Sequence, residues 1–157
     1  MMVNYKINFT VICALLMLVL SSAVNAEHHE EKKSLFDRLG GLEAIAILSS
    51  DFLDEMIPDE QLNKNRAISI ARKSVAPIYL KYQIISMVCQ ATGGPCTYTG
   101  RDMKSSHAKL RIKEKEWNRM IVILKQAMEK RRIKGKESEE LLAIVNSTKK
   151  DIVIPSM

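Results

Sequence analysis

The folded part of this sequence offers one histidine, His107, for chemistry. The other two histidines, His28 and His29, lie in a charged stretch near the N-terminus. An imidazole can transfer protons near neutral pH, and in its neutral form a ring nitrogen can bind a metal ion. Met103 and Leu110 stand four residues before and three residues after His107, so the three side chains share one helix face. The pattern leaves two interpretations open, a metal ligand and a histidine packed in a core.

No other motif identifies a reaction for this histidine. No second histidine or cysteine stands at the spacing of a zinc site. The glycine-rich phosphate and dinucleotide motifs and the nucleophilic serine motif are absent. Ser105 and Ser106 are only sequence neighbours of His107, whereas a catalytic triad also requires an orienting acid. The residues alone therefore predict a helical domain with one interior histidine.

A second candidate surface lies on the helix expected to begin at Pro77. Lys81 and Gln83 flank an apolar stripe, which could cover one side of a flat cofactor while Lys81 pairs with a carboxylate of that cofactor. Any helix packed in a core shows the same pattern. The members of the stripe are Leu80, Ile84, Met87, Val88 and Ala91.

Composition and periodicity predict an all-α fold. Hydrophobic residues make up 46% of the 157 residues but aromatic residues only 5%, and no segment alternates as a strand does. Residues 61–65 are expected to form a turn, and residues 67–75 could form a short helix. The other expected helices span residues 35–39 (with Ser34 as the N-cap), 42–56, 77–91, 101–110, 113–132 and 138–152.

The net charge of +6 is spread over predicted helices that also carry many acidic residues. Mixed signs of this kind are typical of solvent-exposed helix faces. A nucleic-acid partner would require a concentrated basic stripe with interleaved aromatic residues. We therefore expect no binding of nucleic acid.

The first 26 residues have the features of a secretory signal peptide. Lys6 precedes an apolar run over residues 9–20, and small residues lead to Ala26. That run is shorter than the roughly 20 residues of a membrane span. We expect cleavage after Ala26, a periplasmic or secreted protein without a stable membrane span, and a disordered lead over residues 27–33. The alternative is an uncleaved N-terminal anchor.

Cleavage would leave two cysteines, Cys89 and Cys96. In an exported protein such a pair can form a disulfide, which here would close an eight-residue loop and contribute about 2–3 kcal/mol. Cys89 could equally be a free cysteine buried on a helix. The sequence leaves both possibilities open.

Several motifs, taken in order along the chain, resemble those of the group I truncated haemoglobins. This resemblance implies a globin domain over residues 34–153, followed by a tail over 154–157. The implied fold is a two-over-two helical sandwich around haem b. The motifs are Ser34-Leu35-Phe36-Asp37-Arg38-Leu39-Gly40-Gly41, Ala44-Ile45, Gly93-Gly94-Pro95, Tyr98-Thr99-Gly100-Arg101-Asp102-Met103-Lys104 with His107, Leu141-Leu142-Ala143-Ile144-Val145 and Lys150-Asp151-Ile152-Val153.

The resemblance also implies roles for individual residues. His107 would be the proximal ligand of the haem iron, and the helix from Pro77 would cover the distal side. The residues expected to contact the cofactor are Leu53, Leu80, Lys81, Gln83, Ile84, Met87, Val88, Met103, Leu110, Ile112, Trp117 and Ile121.

Two distal positions depart from the family pattern. Leu53 follows Phe52 where the family usually has a tyrosine, and Ile84 stands at the position of the distal glutamine, with Gln83 beside it. A donor at these positions would stabilise bound oxygen by roughly 1.5–3 kcal/mol. Without that donor we expect faster oxygen dissociation and easier autoxidation than in relatives with the tyrosine.

The resemblance implies a monomeric haem-binding globin that reversibly binds oxygen or another diatomic gas such as nitric oxide. One alternative is a haem enzyme, either a nitric oxide dioxygenase or a peroxidase-like protein, which would need a reductase as partner. A second alternative is a globin-like interaction module that has lost its haem.

Overall fold

The computed structural model describes residues 33–155. This part of the chain is all-helical, as predicted, and none of its helices is long and apolar enough to cross a bilayer. The predicted signal peptide, nearly all of the predicted lead and residues 156–157 of the tail lie outside the described residues. The helices are α1 (Leu35–Leu39), α2 (Gly41–Met56), α3 (Glu60–Asn63), α4 (Arg66–Ser74), α5 (Pro77–Ala91), α6 (Met103–His107), α7 (Glu114–Lys130), α8 (Gly135–Ser147) and α9 (Lys149–Ile152).

The first helix begins and ends where local signals place it. The Ser34 hydroxyl accepts a hydrogen bond from the Asp37 N–H at 3.1 Å, and the Asp37 carboxylate accepts from the Ser34 N–H at 3.3 Å. This reciprocal pair is a capping box. Gly40 then takes the left-handed conformation (φ +99°) that favours glycine. The chain can therefore turn and start α2 at the next residue.

The turn predicted over residues 61–65 is wrong, because most of this segment belongs to helix α3. The Asp59 carboxylate caps the helix by accepting from the Leu62 N–H at 2.9 Å. Leu62 is buried in the main core, and this tertiary contact stabilises a helix too short to persist alone. Helix α4 starts one residue before its predicted position, with Asn65 as its N-cap.

Two predicted helices are too long. The helix predicted over residues 101–110 spans only Met103–His107. The Leu110 N–H then donates to the carbonyl oxygen of His107 at 2.9 Å in a tighter turn, and Arg111 follows with a left-handed backbone (φ +51°). The helix predicted over 138–152 begins earlier, at Gly135, and is interrupted at Thr148. The Thr148 hydroxyl donates to the carbonyl oxygen of Val145 at 2.7 Å, which gives this helix end an alternative partner.

Helix α2 is the centre of the fold, since it packs against both α5 and α7. Burial of apolar side chains between these helices is the main contribution to the stability of the fold. Helix α1 packs on α2 and α8, and α9 packs on α6. The core includes Ile45, Leu48, Phe52 and Leu53 of α2, Ile123, Leu124, Ala127 and Met128 of α7, and Leu141 of α8.

Ion pairs connect the long helices to neighbouring elements. Asp51 of α2 pairs with Lys130, at 2.9 Å, and with Arg131. The hydrogen bond from Arg131 and, to a smaller extent, the one from Lys130 lower the pKa of Asp51 to about 2. Arg119 of α7 pairs with Asp59 at 2.7 Å, so the residue that caps α3 also anchors that helix to α7.

Candidate functional site

Helix α6 fixes the position and the tautomer of His107. Asp102 caps this helix by accepting from the N–H of Ser105 at 2.8 Å and from its hydroxyl at 2.7 Å. The imidazole Nδ1 lies 2.8 Å from the carbonyl oxygen of Met103. A carbonyl can only accept, so Nδ1 carries the proton and the neutral ring keeps its lone pair on Nε2. Within residues 33–155 this is the only hydrogen bond of the ring.

The surroundings of His107 favour its neutral form. Burial lowers the pKa of the imidazole below its usual 6.5, and the hydrogen bond to the Met103 carbonyl opposes this shift only in part. At neutral pH the ring therefore has a proton on Nδ1 and a free lone pair on Nε2. Metal-binding histidines have this arrangement, in which the second nitrogen donates to a backbone carbonyl. The donor set thus fits an axial ligand of haem iron.

The apolar stripe of helix α5 is only partly covered by the rest of the protein. Its fully covered residues are Ser86 and Cys89, which a helical wheel places opposite the stripe. Leu80, Ile84 and Val88 contact the main core but remain only half-buried. An ordinary core helix buries its apolar side best. The side opposite the stripe is unevenly buried, since Ile78 and Tyr82 there are 76% and 58% exposed. The partial exposure of the stripe leaves apolar surface that a further apolar group could cover.

The other candidate residues fall into two groups. Leu53 is completely buried in the main core, and Trp117 is 3% exposed. The rest of the apolar set is half-buried, as expected for the wall of a cofactor site, although contact with a cofactor stays a prediction for every member. The half-buried members are Leu80, Ile84, Met87 and Val88 of the stripe on α5, together with Met103, Leu110, Ile112 and Ile121.

The two polar candidates on α5, Lys81 and Gln83, both contact other parts of the protein. The Lys81 ammonium lies 2.7 Å from the Asp54 carboxylate of α2. The amide oxygen of Gln83 is buried and has no hydrogen-bond partner within the described chain. It lies so close to Gly100 that a Cβ built there would be 2.6 Å away. Gln83 therefore packs under the segment that leads to α6.

That segment, residues 92–102, connects the two faces of the candidate site. Cys89 and Cys96 are joined by a disulfide (Sγ–Sγ 1.97 Å), which decides the question that the sequence left open. The Tyr98 N–H donates to the Gln90 side chain at 2.6 Å, and the Tyr98 hydroxyl donates to the carbonyl oxygen of Arg101 at 2.7 Å. Sequence reasoning assigned no role to Tyr98 or Gln90, because both contacts depend on how the segment folds back onto α5.

Solved structures share this fold. The truncated haemoglobin of Tetrahymena pyriformis in its Fe(III) form superposes with a TM-score of 0.69 and 18% identity, and the match covers 78% of this chain and 100% of that one. The 2/2 haemoglobin of Synechococcus sp. PCC 7002, in the cyanomet state and with covalently attached haem, gives 0.68 and 19%, covering 77% and 98%. The predicted two-over-two globin fold is therefore confirmed.

Sequence comparison agrees with the fold. The group 1 truncated haemoglobin GlbN of Mycolicibacterium paratuberculosis is 33% identical over 84 residues, and the match covers 49% of this chain. The chain spans about half the length of that relative, 52%. Residues 34–154 match the profile of the bacterial-like globins over most of the described chain. The chain belongs to the bacterial-like globin family.

Proposed function

We propose that this globin holds haem b through Nε2 of His107 and reversibly binds a diatomic gas, oxygen or nitric oxide, as a monomer. When bound, the haem supplies an iron with an open position for the gas. The observation that carries the proposal is the 2.8 Å hydrogen bond from Nδ1 of His107 to the Met103 carbonyl, because it leaves the lone pair of Nε2 free.

The residues of the distal side determine how firmly a gas is held. Leu53 and Ile84 have no donor, Lys81 is paired with Asp54, and Gln83 lies under the segment at Gly100. Apolar side chains on this side would offer no hydrogen bond to a polar gas ligand. This supports weak retention of oxygen.

The cysteines bear on the type of haem and on the location of the protein. Cys89 and Cys96 are bonded to each other, so neither is free to form a thioether bond with haem, which supports noncovalent haem b. Disulfides persist in oxidising compartments. Together with the signal-like N-terminus, this supports export to the periplasm or the cell exterior. Mass spectrometry of protein secreted by cells would test both the cleavage after Ala26 and the disulfide.

The ligand assignment is tested by replacing His107 and restoring the missing imidazole. The wild-type protein should show a Soret band at about 410 nm. His107→Gly should lose most of that band and regain it when imidazole is added. His28→Gly, which removes a histidine outside the globin domain, should leave the spectrum unchanged. Unaltered haem content and spectrum in His107→Gly would contradict the assignment.

The same preparation separates the alternatives. A wild-type protein that never acquires a Soret band would be a haem-free interaction module. Rapid production of nitrate from nitric oxide and oxygen, sustained by a reductase, would identify a dioxygenase, and turnover of peroxide would identify a peroxidase-like enzyme. Reversible binding of gas without such turnover is the result that we expect.

A further inference from the structure

A basic groove lies outside the candidate haem site, between helix α4 and the segment that follows α6. Its volume is about 530 Å³. Arg66 and Ile70 line it from α4, and four cations line it from the opposite wall, which consists of that segment and the first turn of α7. These four are Lys109, Arg111, Lys113 and Lys115.

Asn65 holds the two walls of the groove together. Its side-chain oxygen caps α4 by accepting from the Ala67 N–H at 3.0 Å. Its side-chain nitrogen donates to the carbonyl oxygens of Leu110, at 3.0 Å, and Arg111, at 3.3 Å. Arg111 keeps a left-handed backbone (φ +51°), a conformation uncommon outside glycine. One side chain thus fixes the start of α4 against the turn that carries Arg111.

The positive charge of the groove is largely uncompensated. Its one acid, Glu116, is buried and lies 3.5 Å from the Lys115 ammonium, while its second oxygen accepts the Lys113 N–H at 2.9 Å. Glu114 lies near but pairs with Lys149 at 2.8 Å. Within residues 33–155 no carboxylate lies within ion-pair distance of the four other cations in the groove. Four like charges that share a groove repel one another, and an anion would relieve that repulsion.

We infer that this groove binds a compact anion with two or more phosphate groups. Arginine and lysine together suit phosphate, since each contact is a charge-assisted hydrogen bond. The volume is in the range that accepts a small organic ligand rather than one inorganic ion. Ile70, which is 55% exposed, adds an apolar edge. A soluble organic polyphosphate and the headgroup of a lipid with two phosphates, such as cardiolipin, both provide this chemistry.

The inference is tested by calorimetric titration of the intact protein with inorganic tripolyphosphate at low ionic strength, where surface charges are least screened. We expect one tripolyphosphate per chain. The double variant Arg66→Gln/Lys113→Gln should bind roughly tenfold more weakly or worse, because two charge-assisted contacts are lost. The matched control Lys125→Gln/Lys134→Gln removes the same charge from exposed positions outside the groove and should change the affinity less than twofold.

Vesicle flotation distinguishes the two sources of phosphate. Vesicles of phosphatidylcholine with about one-third cardiolipin, whose headgroup carries two phosphates, should retain the protein, in a manner sensitive to the groove variant, if the ligand is a lipid headgroup. Binding of tripolyphosphate without retention on vesicles identifies a soluble phosphate. Equal weakening in both double variants, or no stoichiometric binding by the wild type, would overturn the inference. Neither result depends on haem, so the proposed gas-binding function is tested separately.

Discussion

The disulfide between Cys89 and Cys96 should contribute a large share of the stability of this domain. The two residues are separated by seven positions, so the bond closes a loop of eight residues. Closing such a loop removes conformations from the unfolded chain, and the chain-entropy relation gives about 2.5 kcal/mol. For a domain of this size, that free energy corresponds to a fall of about 10 °C in melting temperature.

Cys96→Ala is the sharper perturbation, because Cys89 is fully buried and Cys96 is only half-buried. Replacing Cys96 therefore breaks the bond with little loss of packing. Urea denaturation with and without a reductant measures the effect. The reductant should destabilise the wild type by the predicted amount and leave the variant unchanged, and the reduced wild type should match the variant.

Thr97→Ala provides the control, since Thr97 is exposed in the same loop and its replacement leaves the disulfide intact. This variant should respond to the reductant as the wild type does. If mass spectrometry confirms the bond but the free energies of unfolding of wild type and Cys96→Ala differ by less than about 0.5 kcal/mol, the entropic reasoning is refuted.

Three further predictions concern the distal pocket, an ion pair and a close contact. Ile84→Gln places an amide donor on the distal stripe and should slow oxygen dissociation about tenfold or more in stopped-flow measurements; Ile84→Met should not, and equal rates in all three proteins would show that this position does not face the gas. Arg131 lowers the pKa of Asp51 from 3.8 to about 2, so the ion pair stabilises the fold above pH 3.8 and loses its effect as the pH falls towards 2. Asp51→Asn should lower the free energy of unfolding by about 1 kcal/mol at neutral pH. Urea denaturation at a series of pH values should show this difference vanishing near pH 2. Gly94→Ala would place a Cβ 2.6 Å from Cε2 of Phe36 and should lower the free energy of unfolding by about 1–3 kcal/mol; an unchanged melting temperature would mean that the ring moves aside.

The sequence predicts most of the helices because their signals are local. Ser34 and Gly40 delimit α1 within a few residues, and Pro77 opens α5 where it was expected. The sequence does not predict helix α3, because this four-residue helix depends on the burial of Leu62 against helices that are distant in the sequence. The break at Thr148 was also missed, since its position depends on how the last turns pack.

For the candidate site, the sequence by itself singled out His107 and the apolar stripe on α5, because residue type and helical spacing are local properties. Only the tertiary structure decided which nitrogen of His107 is free, since the Met103 carbonyl holds the other. It also joined Cys89 to Cys96.

The basic groove most clearly separates what the sequence predicts from what the tertiary structure decides. The sequence distributes its cations among acidic residues and predicts an ordinary solvated surface. Folding places Arg66 in the same groove as Lys109 and Arg111, more than forty positions further along the chain, and the side chain of Asn65 bridges the two walls. Local periodicity carries no information about contacts at that separation, so the groove exists only once the chain has folded.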